Sequence, residues 1–125
     1  MSSAYDDAAA LTAATRPTTT EPVELRELAE AYGLELRGEG RVTGVTLSSQ
    51  RVLPGDLYAA LSGSRAHGAT YAPGAIEAGA TAVLTDATGA EKLRAAGIDV
   101  PLLLTESPRK VLGAVSARVY GSPAA

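Results

Sequence analysis

Eight residues, Gly63-Ser64-Arg65-Ala66-His67-Gly68-Ala69-Thr70, hold the most chemically suggestive spacing in the chain. Two glycines five positions apart, then a hydroxyl residue, match the phosphate-cradling pattern G-x-x-x-x-G-K-[ST]. In that pattern main-chain N–H groups surround phosphate oxygens and the lysine neutralises the β- and γ-phosphates. Ala69 stands where the lysine belongs, so the charge needed for ATP hydrolysis is missing. What remains is a strand–loop–helix junction whose amides and helix N-terminus can face an anion. The same glycines also serve simply to turn a chain from strand into helix, and spacing alone does not choose between the two.

Arg65 has the forked guanidinium that grips phosphate, although a solvated loop arginine looks the same in sequence. His67 is the only histidine, and a general base needs a positioned partner, which no nearby Asp or Ser supplies at catalytic spacing; loop packing is the expected role. Ser48 and Ser49 end a strand, where a serine can meet a ligand's sugar or base or satisfy its own backbone. Asp56, directly after Pro54-Gly55, belongs to a turn, and no second carboxylate lies at a spacing that would build a metal site with it. Tyr58 and Tyr71 flank the loop and either border a base or pack. No catalytic residue and no metal ligand set emerges.

These residues need a scaffold. Leu25, Leu28, Ala29 and Tyr32 form one helical stripe with Pro22 in its first turn and Gly33 past its end, while Glu24, Glu27 and Glu30 lie on the solvated face. Val42 to Ser49 and Leu57 to Leu61 read as strands joined through Pro54-Gly55, the i+1 and i+2 residues of a type II turn. A short helix over 71–78 stopping at Gly79, a buried strand at 82–84, and a helix capped by Asp86 and running to about Ala96 follow. A strand at 102–104 and a last helix opening at Ser107-Pro108, with Leu112, Val115 and Val119 on one face, complete the order. Alternating strands and helices predict an α/β fold: a small mixed, partly parallel sheet flanked by helices.

Composition bounds the rest. With 125 residues, 46% of them hydrophobic and 20% charged, the chain builds one packed core. The net charge is −3 and the 11 Lys and Arg residues are scattered, which argues against a nucleic-acid partner. The absence of cysteine removes disulfides, thiolate zinc sites and thiol catalysis. No apolar stretch approaches the roughly 20 residues of a membrane span. Residues 1–20, rich in Ala, Ser and Thr, lack a basic opening and an apolar block and read as a disordered tail, leaving cytoplasmic residence by elimination.

The strings Thr43-Gly-Val-Thr-Leu47-Ser-Ser49, Pro54-Gly-Asp-Leu-Tyr58-Ala-Ala-Leu61, Gly63, Gly68 and Ala75-Ile-Glu-Ala-Gly79-Ala-Thr-Ala-Val-Leu84, in this order, resemble the N-terminal domain of the Mur ligases, above all the tripeptide-synthetase branch that adds the third residue of the peptidoglycan stem peptide. The resemblance covers about residues 23 to 124, and Val119-Tyr-Gly-Ser-Pro123 resembles the end of that domain. It implies residues 21–125 as a uridine-nucleotide-binding domain of the Mur N-terminal type, holding the UDP part of UDP-N-acetylmuramoyl-L-alanyl-D-glutamate. Carried over by position, the family's contacts are Leu47, Ser49, Ser64, Arg65 and Ala66. It implies no cofactor in this chain; ATP and Mg²⁺ belong to a central domain and amino-acid selection to a C-terminal one, both expected beyond Ala125. The chain alone is then expected to be inactive. The family's Asp-Ser-Arg appears here as Ser48-Ser49-Gln50, without its two charges, and Pro73-Gly74 interrupts a helix that is normally continuous. Two alternatives stand beside this reading: the equivalent domain of the D-alanyl-D-alanine-adding ligase, and a stand-alone, non-catalytic binding module.

Overall fold

Leu57 to Leu61 and Ala82 to Leu84 are apolar at every position, a pattern that suits a strand covered on both faces. The computed structural model, which describes residues 21–63 and 66–121, shows this arrangement. The stretch at 1–20, Ser64, Arg65 and residues 122–125 lie outside the described residues. The elements are β1 (Val23–Glu24), α1 (Leu25–Tyr32), β2 (Glu35–Arg37), β3 (Arg41–Val42), β4 (Gly44–Thr46) and β5 (Asp56–Ala59). A 3₁₀ turn (Gly68–Tyr71), α2 (Ala72–Glu77), β6 (Ala82–Thr85), α3 (Ala87–Ala95), β7 (Leu102–Leu104) and α4 (Pro108–Val119) follow.

The main sheet has the order β2-β7-β6-β5-β4. Strands β4 to β7 are mutually parallel, with Val45 opposite Leu57, Tyr58 opposite Val83 and Leu84 opposite Leu103. β2 runs antiparallel to β7 at one edge, and β1 and β3 form a separate antiparallel pair. The fold is therefore a mixed α/β sheet flanked by helices. Two-residue alternation divides the central strands between two apolar cores. Leu57, Ala59, Leu84 and Leu103 pack with Leu25 and Leu28 of α1 and Val115 and Val119 of α4. Tyr58, Ala60 and Val83 point the other way, onto Ala72 and Ala75 of α2 and Leu93 of α3. Each fully buried leucine contributes about 1.5–3 kcal/mol, so both helical layers are needed to hold the strands.

Several local expectations change in register or partner. Helix α1 starts at Leu25, and Val23–Glu24 before it pairs with Arg41–Val42, so Pro22 lies outside the helix. The 42–49 strand is shorter than its pattern suggests, because Val42 belongs to β3 and the chain leaves β4 after Thr46. The Pro54-Gly55 turn is no hairpin. β4 and β5 are parallel, so the chain after Thr46 must travel back along the sheet, and the turn sits at the entrance of β5. The turn itself has the expected form: the Asp56 N–H donates to the Leu53 carbonyl at 3.1 Å and Gly55 has φ +92°. A Cβ on Gly55 would also come within 2.5 Å of Thr43 Oγ1. Asp56 is buried and its Oδ2 accepts the Leu53 N–H at 2.9 Å, a turn role. Pro73 falls in the first turn of α2, where a proline displaces no helical hydrogen bond, and the 3₁₀ turn provides the missing lead-in.

β4 is the sheet's other edge, and its outward backbone groups are occupied by a side chain. The Val45 N–H donates to Tyr120 Oη at 2.8 Å, and that hydroxyl donates to the Val45 carbonyl at 3.1 Å. One phenol thus satisfies both polar groups of an edge residue and blocks a strand from adding there. Tyr120→Phe is expected to destabilise the domain by about 1 kcal/mol and to speed amide exchange at Val45, read by chemical denaturation and hydrogen exchange. Unchanged exchange at Val45 would contradict this role.

Candidate functional site

Parallel strands deliver their following loops to one edge of the sheet, the usual place for ligands in such folds. Here that edge carries the residues after Thr46, Ala59, Thr85 and Leu104. Thr46 lies opposite Tyr58 in neighbouring strands, so Leu47 to Ser49 and the 60–67 loop leave the sheet side by side. The structure brings Leu47, Ser49 and Ala66 to this corner; Ser64 and Arg65 fall within the same loop but outside the described residues. Leu47 is 54% exposed, unusual for a leucine beside a core strand. Ser48 is used locally: its N–H donates to Thr46 Oγ1 at 3.1 Å and its Oγ accepts the Gln50 N–H at 3.2 Å. The half-buried Ser49 hydroxyl has no hydrogen-bond partner among the described residues.

The expectation that a helix N-terminus faces the anion is corrected. The Gly68 N–H donates to the Leu61 carbonyl at 2.7 Å and the Thr70 N–H to the His67 carbonyl at 2.9 Å. The Ala69 N–H donates to His67 Nδ1 at 3.0 Å. The first-turn amides are consumed in fastening the loop. By contrast, the amides of Ser62, Gly63 and Ala66, inside the loop, donate to no other described residue. An anion at this corner would meet loop amides, as in a backbone nest.

His67 is indeed a packing residue, but its partner was invisible in the sequence. It is buried, and Nε2 lies 2.8 Å from Asp86 Oδ1. Because Nδ1 accepts from Ala69, Nε2 carries the proton and donates it to the carboxylate. The same Asp86 oxygen accepts the Gly89 N–H at 2.8 Å, capping α3 as its position before the helix predicts. Burial pushes the Asp86 carboxyl up, but the Gly89 amide and the His67 ring together outweigh it and hold it below its ordinary value. Gly89 has to be glycine: a Cβ would overlap Thr85 Oγ1 and come within 2.7 Å of His67 Cε1. Thr85 Oγ1 in turn donates to the Ala60 carbonyl at 2.8 Å, and Arg109 Nη2 donates to the Ser62 carbonyl at 3.2 Å. Tyr58 is buried with its hydroxyl donating to the Gly68 carbonyl at 2.9 Å, whereas Tyr71 is 54% exposed. A cleft of about 300 Å³ opens beside the loop, lined in part by Leu61, Ser62, Asp86, Ser107, Arg109 and Lys110.

Comparison with known proteins now decides the family. The model described as "Mur ligase family, catalytic domain" matches residues 41–120, which contain β4 to α4 and the whole candidate corner.

The chain belongs to the Mur ligase family.

Among curated relatives, a UDP-N-acetylmuramoyl-L-alanyl-D-glutamate--2,6-diaminopimelate ligase of Streptomyces coelicolor is 45% identical over 109 residues, 86% of this chain and 21% of that protein. A UDP-N-acetylmuramyl-tripeptide synthetase of Leifsonia xyli is 46% identical over 110 residues, again 86% of this chain and 21% of the relative. The chain thus spans about 21% of the length of these Mur ligases. Among solved structures, a MurF of Acinetobacter baumannii superposes with TM-score 0.58 at 17% identity, over 75% of this chain and 20% of that one. A second ligase structure from the same organism, named for addition of D-alanyl-D-alanine, gives TM-score 0.59 at 18% identity, over 78% and 21%. These likenesses establish the Mur ligase fold of the segment.

Ala69 replaces the phosphate-binding lysine, and among the described residues no group of three or more His, Asp or Glu side chains could hold a metal ion. No described helix is long and apolar enough to cross a membrane.

Two outcomes follow. Gly89→Ala should destabilise the domain by about 1–3 kcal/mol in thermal denaturation, since neither Thr85 nor His67 is free to move away. Asp86 has a lower folded than unfolded pKa, so its carboxylate contributes stability that is complete above the ordinary value of 3.8 and is lost as pH falls through the lower, folded value. The stability difference between the wild type and Asp86→Asn should therefore be constant near neutrality and shrink below pH 3.8 in denaturation series. A gap that persists in strong acid would contradict it.

Proposed function

We propose that this chain is the uridine-diphosphate-anchoring domain of a Mur ligase that adds the third residue of the peptidoglycan stem peptide. The observation that carries the reading is the shared corner. Adjacent parallel strands β4 and β5 send out, side by side, a segment with an exposed Leu47 and a Ser49 hydroxyl without a partner among the described residues, and a loop in which the amides of Ser62, Gly63 and Ala66 donate to no other described residue. An apolar side chain suits a base face, a hydroxyl suits a ribose, and uncovered amides with the Arg65 guanidinium suit a pyrophosphate. The proposed contacts are Leu47, Ser49, Ser64, Arg65 and Ala66. The curated relatives support the substrate class, because their names specify UDP-N-acetylmuramoyl-L-alanyl-D-glutamate and a tripeptide product.

In this reading the chain performs no bond chemistry. It binds a remote handle of the substrate, which lowers the entropic barrier for the reacting end held by the rest of the ligase. ATP, Mg²⁺ and selection of the added amino acid, diaminopimelate or lysine, belong to the central and C-terminal domains of the same ligase. A water-soluble sugar nucleotide as substrate suits the cytoplasm. Neither nucleic acid nor membrane enters the scheme.

The test is a titration of the 125-residue chain with UDP, followed by amide chemical shifts. Weak, fast-exchanging binding is expected, with the largest shifts at Leu47, Ser49 and Ala66, and uridine alone should move Leu47 and Ser49 more than the loop. An absence of shifts, or shifts confined to the far edge at β2, would overturn the proposal. So would ATP-dependent ligase activity in this chain alone.

A further inference from the structure

The 61–67 loop is held at both legs by groups from elsewhere in the fold. Its entering leg is pinned to β6, where the Ala60 N–H donates to the Leu84 carbonyl and the Ala60 carbonyl accepts from Thr85 Oγ1, both at 2.8 Å. Its leaving leg is held by the Gly68 N–H, which donates to the Leu61 carbonyl at 2.7 Å, by Tyr58 Oη, which donates to the Gly68 carbonyl at 2.9 Å, and by the His67 side chain. Among the described loop residues Leu61, Ser62, Gly63, Ala66 and His67, only His67 makes side-chain hydrogen bonds, and it makes two from opposite sides of a rigid ring. Nδ1 takes the Ala69 N–H at 3.0 Å and Nε2 donates to Asp86 Oδ1 at 2.8 Å. The ring lies over Gly89, where a Cβ would intrude on Cε1. An asparagine could reproduce the first bond and a glutamine the second, but neither spans both. The arrangement exceeds what a helix start requires, since a short polar side chain would cap the 3₁₀ turn equally well.

We propose that His67 is the positioning residue of the nucleotide loop, setting the place of the Ser62, Gly63 and Ala66 amides by tying the loop's last residue to the start of α3 through Asp86. The proposal rests on the uridine-nucleotide reading above. Position matters because a nest of amides binds an anion only while its N–H vectors converge; a loop that drifts must be reordered each time ligand binds. The tie also explains why α3 begins with a carboxylate whose single oxygen serves both its own helix and the neighbouring loop.

The experiment uses the full 125-residue chain and UDP as the probe. His67→Asn keeps an acceptor for the Ala69 N–H and loses Asp86; Asp86→Ser keeps an acceptor for the Gly89 N–H and loses His67. Each is expected to weaken UDP roughly fivefold to twentyfold, and the double variant no more than either alone, because one bond is removed in all three. Asp86→Asn retains an oxygen that accepts from both partners and should bind UDP within about twofold of wild type. Nitrogen-15 shifts of the free wild-type protein should show His67 with a proton on Nε2 and an acceptor Nδ1. If His67→Asn fails to fold, Asp86→Ser removes the same bond from the other side. A wild type that binds UDP while His67→Asn and Asp86→Ser bind equally well overturns the role of His67 alone, as do additive losses in the double variant. A wild type with no UDP response overturns the nucleotide reading itself.

Discussion

Parallel pairing of β4, β5, β6 and β7 is the constraint from which the rest follows. Parallel strands cannot be joined by tight hairpins, so each must be followed by a segment that carries the chain back. Between β5, β6 and β7 those segments are α2 and α3, which cover one face, while α4 and α1 cover the other. Burial on both faces requires apolar side chains in succession, which is why Tyr58, Ala59 and Ala60 and then Val83 and Leu84 alternate between two separate cores. The same geometry sends every following loop to one edge. A site at that edge is a consequence of how the sheet is paired.

The corner is built from backbone more than from side chains. Glycines, alanines and serines dominate the 60–69 segment, and its shape is imposed from outside by Thr85, Asp86, Tyr58 and Arg109. This division suits a binding role. Amides held in place by a rigid frame bind an anion without long side chains to immobilise, and the ordering cost falls on folding and not on each binding event. It also accounts for charged partners lying behind the loop: the Asp86 carboxylate is held low by the amide and ring it accepts from, and it serves structure.

The other edge of the sheet shows a related economy. β4 leads into Leu47 and Ser49, and its outward Val45 groups are closed by Tyr120 at the end of α4. The strand that opens the candidate site is thereby fixed between β5 and the last residues described.

The amino-acid sequence by itself determined the order and type of most elements. Helical stripes such as Leu25, Leu28 and Tyr32, the Asp86 cap, the Pro54-Gly55 turn and the unbroken apolar strands all act through neighbours a few residues away. The ordered strings from Thr43 to Leu84 also disclosed the Mur ligase family, later confirmed by comparison. Tertiary structure decided what depends on distant partners. β2 escaped notice because three residues, Glu35-Leu36-Arg37, acquire strand character only by pairing with β7. The type II turn at Pro54-Gly55 was legible, but local sequence cannot tell parallel from antiparallel neighbours, and only the fold shows that the strands on either side of it run parallel. His67 had no visible partner because Asp86, 19 positions on, arrives only when β5 and β6 lie side by side. For the same reason the loop amides, and not the helix start, were left uncovered: which N–H groups remain free depends on acceptors that the fold brings in from elsewhere.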